Sequence, residues 1–285
     1  MTNSYEIPHL LKEIITWEEE IKQEVPYLET PTGYFLQFDP HDNGGYMSSP
    51  VDAIMFARTG MGGIHFSFLT DFGNVTDLSV VPIVRVDPMA FGSYARIVAR
   101  NIRDFFAFGF SGHEGLLLNE FESKQQYLDY VKEQEDNTSE SEYFDKKKWD
   151  REQEKVRDLA VQRFGFQLIH DGYSYSKEVR QTRRNEVILD TLDGLGVGVG
   201  DALVDYSKRV VPHPWHEKEI SYDQDEQLIS YISSAEQVGL FSLLRDVQAQ
   251  GFDNSDVFRA IHNRFVSLGL SVEEQMLARY LHKLY

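Results

Sequence analysis

Apolar residues behind Pro8 recur at Leu10, Leu11, Ile14, Ile15, Trp17 and Ile21, while Glu13, Glu18, Glu19, Glu20 and Glu24 fall off that stripe. The spacing predicts an amphipathic helix with Trp17 as a core anchor. Pro26 and Pro31 end it, and Gly33–Phe38 opens a strand region. Asp39–Gly45 reads as a turn, because Asp and Asn bond their own backbone and Gly44–Gly45 tolerate positive φ. Ile54 and Phe56, then Ile64, Phe66 and Phe68, alternate with smaller or polar residues around Gly60, Gly62 and Gly63, the signature of a hairpin. A third strand run follows at Val80–Val86. From about Ser93 the spacing of Tyr94, Ile97, Val98, Ile102, Phe105 and Phe106 predicts a helix. Its other side would carry Arg96, Arg100 and Arg103, either solvated or paired with carboxylates.

The pattern then changes. Ser123–Gln126 has the form of a capping box for a helix that the polar run Asp136–Glu142 interrupts. A highly charged helix follows, with Phe144, Trp149 and Val156 as scattered contacts and Lys146–Lys148 set among acidic neighbours. Two strand-like runs, 166–176 and 185–199, enclose a possible turn at Asp193–Gly194. Four helical segments end the chain, with capping-box patterns at Ser234–Gln237 and Ser271–Glu274 and terminating glycines at Gly251 and Gly269. The expected class is α+β: a mixed or antiparallel sheet with flanking helices, followed by a mainly helical C-terminal region. The expected units are residues 1–135, a charged helical connection over 136–165, and 166–285.

Composition narrows the chemistry. Among 285 residues, 28 Lys and Arg face 46 Asp and Glu, for a net charge of −18. That balance argues against nucleic acid and anionic membranes and favours a basic protein partner. No cysteine is present, so disulfides and thiol chemistry are excluded. No apolar run approaches a membrane span of roughly 18 residues and no targeting signal opens the chain, so the expected compartment is the cytoplasm. The candidate ligand motifs are each incomplete. The group Asp39, His41 and Asp42 lacks a calcium loop's closing glutamate, the Thr59–Gly63 loop lacks a phosphate-binding lysine, and Gly194–Asp201 lacks dinucleotide spacing. His213 and His216 stand three apart, but Pro212 and Pro214 forbid the helix that would aim them together. No cofactor and no metal set are therefore expected. Turn carboxylates are free to face a partner, which makes Asp39, Asp42, Asp71 and Asp77 the expected partner-binding residues. The alternative is a hydrolase whose Asp39, His41, His65, Asp71 and His113 converge only in the fold.

The order of these features resembles the SUKH superfamily, which takes in yeast cell-wall-synthesis regulators and bacterial toxin-immunity proteins. The resemblance covers about residues 5–130. It rests on the helix tryptophan Trp17, the Gly44–Gly45 turn, the glycine-separated runs of MFARTGMGGIHFSFL, the PIVRV run and the helix ending IRDFFAFG. It implies an α+β domain that binds proteins without catalytic residues or a cofactor. An immunity or regulatory protein that binds a basic toxin or enzyme fits that implication.

Overall fold

The alternating runs become the strands of one antiparallel meander. A computed structural model describes residues 5–136, 144–198 and 210–283. Helix α1 (His9–Ile21) precedes β1 (Phe35–Leu36), β2 (Ala53–Arg58), β3 (His65–Leu69), β4 (Ile83–Val86) and β5 (Ala95–Ala99), which pair in chain order. Gly60, Gly62 and Gly63 take φ of +78°, +58° and +75° in the β2–β3 connection, conformations a side chain would strain. Phe56, Phe66 and Phe68 stack on one sheet face against Phe105 of α2 (Ile102–Phe110), with ring centroids 4.5–5.2 Å apart. The class is α+β, as the pattern predicts.

The helix expected from Ser93 is two elements. Residues 95–99 form β5, and α2 starts only after Asn101, whose side chain accepts the Asp104 N–H. Burial of both faces of β5 removes the polar alternation that marks a half-exposed strand. Arg96 is accordingly buried and donates to the Leu116 and Leu117 carbonyls of α3 (Glu114–Leu118). Arg100 pairs with Glu178 at 2.8 Å, and Arg103 donates to the Phe164 carbonyl.

Next come α4 (Lys124–Asp136), α5 (Lys146–Phe164) and α6 (Gly172–Glu186). Trp17 meets Phe164 edge to face at 5.3 Å and is buried, as expected of a core anchor. The strand expected at 166–176 is instead the approach to α6 followed by its first residues, from Gly172. Asp171 caps that helix by accepting from the Ser174 N–H and hydroxyl. A short ribbon, β6 (Val187–Leu189) with β7 (Val197–Gly198), closes around the Asp193–Gly194 turn. Most of the expected break at 136–142 lies outside the described residues.

The C-terminal region packs α7 (Asp225–Ser234), α8 (Gln237–Ala249), α9 (Ser255–Leu268) and α10 (Ser271–Lys283). The capping box forms at Ser221–Gln224 rather than at Ser234–Gln237, where Glu236 occupies the N-cap without a side-chain bond. Apolar burial is continuous across the expected unit boundaries. Phe72, just past β3, stacks on Phe241 of α8 at 3.9 Å. Among the described residues, no helix is long and apolar enough to cross a membrane.

Candidate functional site

Two places in the fold carry more chemistry than packing requires. The first is a buried charged centre where the sheet meets α6 and α8. Asp71 and Phe72 follow β3 with φ of +50° and +55°, left-handed values that cost non-glycine residues energy. That turn delivers the Asp71 carboxylate to Arg183 of α6, which binds both oxygens, and lays Phe72 beneath the Arg245 guanidinium, 5.0 Å from the ring centre. Arg245 of α8 donates to Asp52 at 2.7 Å and stands 3.7 Å from Asp193. Burial pushes the Asp52 carboxyl up, against the pull of Arg245. Glu273 of α10 is buried nearby, and desolvation raises it to about 7.

Beside Arg245, Asp246 is fully buried. Its Oδ1 accepts the Leu192 N–H at 2.7 Å, while Oδ2 stands 2.9 Å from His213 Nε2 and 3.8 Å from His216 Nδ1. The prolines bar a helix here, as expected. A tight turn closed by the His216 N–H on the His213 carbonyl nevertheless brings both rings to one side. A turn thus does what the barred helix could not: among the described residues, His213, His216 and Asp246 offer ligand atoms all within 4.8 Å of one another. Asp246 lies 30 residues downstream on an apolar helix, and no local spacing pointed to it.

The second place is the end of the sheet that carries the β2–β3 and β4–β5 turns. Met61, Met89 and Phe91 project there, 68%, 66% and 80% exposed, with Phe35 and Tyr46 beside them. Glycines bring the rim together: a Cβ on Gly60 would strike the Phe35 ring, and one on Gly63 would strike the Tyr46 hydroxyl. Met61 also borders an open groove of about 720 Å³, whose apolar wall includes Tyr34, Phe110, Leu118, Tyr130 and Trp149.

The four acidic positions expected to bind a partner do not form one surface. Asp71 is buried and committed to Arg183, so its placement on an exposed turn is corrected. Asp77 is exposed but lies in the β3–β4 connection, at the opposite end of the sheet from the rim, where it accepts from the Ser79 N–H and hydroxyl. Those bonds hold its carboxyl below the ordinary value. Asp42 ties the turn to β2 through Arg58 at 3.3 Å, and Asp39 stands 3.8 Å from Arg279.

Of the five residues of the hydrolase alternative, His65, His113 and Asp71 are held by separate partners, and the His41 Nδ1 is buried without a hydrogen-bond partner. His65 is buried between the Gly63 carbonyl, the Asn43 carbonyl and the Ser49 hydroxyl, and burial lowers its pKa. His113 binds the Tyr127 hydroxyl and the Ile169 carbonyl. Asp39 accepts the His41 backbone N–H, and Asp71 holds Arg183. No family model, curated protein or solved structure matches this chain.

Proposed function

We propose that this chain is a non-enzymatic protein-binding module of the SUKH kind, acting in the cytoplasm on a basic partner such as a toxin or enzyme that it restrains. The observation that carries the reading is the apolar rim. Three large side chains more than 60% exposed at one sheet end cost solvation energy unless something covers them, and contiguous exposed apolar surface marks protein contacts. Asp42, paired with Arg58 at the rim end of β2, borders it, whereas Asp39 stands by Arg279 of α10. A net charge of −18 supplies the long-range attraction that would bring a cationic partner to it.

The test is capture of partners from the source organism by tagged wild type and by a Met61→Glu, Phe91→Glu double variant. Both positions are exposed, so the variant should keep its circular dichroism spectrum and melting temperature. A basic protein recovered by wild type and reduced at least tenfold with the variant supports the reading. Equal recovery by the two proteins contradicts it.

A further inference from the structure

We propose that His213, His216 and Asp246 form a binding site for a zinc-class divalent cation, which pins the 211–217 turn to helix α8. Imidazole nitrogen and carboxylate oxygen are the ligands such ions take. At metal–ligand distances of about 2.0–2.2 Å, tetrahedral ligands sit roughly 3.3–3.5 Å apart. The observed separations of 2.9 Å for His213 Nε2 and 3.8 Å for His216 Nδ1 from Asp246 Oδ2 bracket that value. The third pair, the two imidazole nitrogens, lies within 4.8 Å, so an ion would complete the site by drawing the histidines together around the carboxylate. The Asp246 carboxylate is already oriented for binding through one oxygen, because Oδ1 is occupied by the Leu192 N–H.

Two independent observations point to a missing cation. His216 Nδ1, the atom aimed at Asp246, is buried without a hydrogen-bond partner. Charge balance is the other. Among the described residues, four carboxylates, Asp52, Asp71, Asp193 and Asp246, are at most 9% exposed, and two guanidinium groups, Arg183 and Arg245, are buried among them. Arg183 is spent on Asp71, and Arg245 on Asp52 and Asp193. Asp246 meets the Leu192 N–H and two imidazoles but no guanidinium or ammonium group among the described residues, and a buried carboxylate without a countercharge is costly. A divalent ion neutralises it. The His216 side chain is 17% exposed, which leaves a path from solvent and an open fourth position. His213 Nδ1 has no acceptor, a departure from a usual outer shell. The site joins three segments: the 211–217 turn, α8, and through Leu192 the turn between β6 and β7.

The experiment uses the full chain, stripped with a chelator and titrated with ZnCl2, and with CoCl2 as a spectroscopic probe. Expected are one equivalent of zinc per chain by elemental analysis, tetrahedral cobalt absorption, and a rise in melting temperature with zinc. His216→Ala should keep the apo fold and lose at least tenfold in zinc affinity. His262→Ala, which removes a histidine paired with Glu274 elsewhere, should bind like wild type. Binding that is absent from wild type, or equal in wild type and His216→Ala, would overturn the site. Zinc would then be held by surface histidines only, or Asp246 would serve only as the hydrogen-bond partner of His213. Neither outcome bears on the apolar rim, which is tested separately.

Discussion

Two aspartates six residues apart separate surface from interior. Asp71 neutralises a buried guanidinium, so Asp71→Asn leaves Arg183 uncompensated and should cost about 3–5 kcal/mol. Asp77→Asn touches only an exposed turn and should stay within about 0.5 kcal/mol of wild type. Urea denaturation of both variants checks the pair, and similar losses would contradict the assigned environments. The two carboxylates look alike in sequence because both sit beside turn residues. What distinguishes them is Arg183, 112 positions away, and no local pattern reports it. Glu273 gives a pH signature. Its folded value, raised to about 7, lies above the unfolded value, so the protonated native form contributes stability that is complete below about pH 4.5 and is lost as pH rises through about 7. Glu273→Gln removes that dependence. Relative to wild type, the variant should gain up to about 3 kcal/mol between pH 5 and pH 8. Parallel stability profiles for the two proteins would show that Glu273 does not titrate in this window.

Among the elements, helix α1 and the β2–β3 hairpin were legible and strand β5 was not, although β2 and β3 are buried as fully as β5. Helix α1 shows its stripe openly, and Trp17 lands on Phe164 of α5. Trp17→Ala should therefore cost about 3–5 kcal/mol in chemical denaturation, as large aromatic truncations in cores do. A fully stable variant would place Trp17 outside the core. The β2–β3 hairpin was readable from its glycines and alternation. Strand β5 was not, because Ile97, Val98 and the later Ile102 also satisfy a helical period. The better signals were local: β-branched residues in sequence, then Asn101 as a cap with Asp104 three residues on. Asn101→Ala should cost about 1 kcal/mol and leave the sheet intact. At α6 the same kind of signal, Asp171 ahead of Ser174, was outweighed by the apolar run before it. The rim had a readable trace as well, since Met89 and Phe91 stand between Pro88 and Gly92, where turns are ordinarily polar.

Across the whole molecule, the proposed function divides the work of binding between charge and shape. The net charge of −18 should speed encounter with a cationic partner and make association fall steeply with salt, whereas the apolar rim should set how long the complex lasts. Raising salt from 50 to 300 mM should therefore slow association of the captured partner several-fold and change dissociation little. An association rate indifferent to salt would remove the electrostatic half of the reading. The apolar half is tested most directly by hydrogen–deuterium exchange of the chain alone and bound to that partner. Amides of residues 59–64 and 87–94 should gain protection together, because both turns lie at the same sheet end. Protection confined to α9 and α10, with those turns exchanging as in the free protein, would contradict the rim as the binding surface.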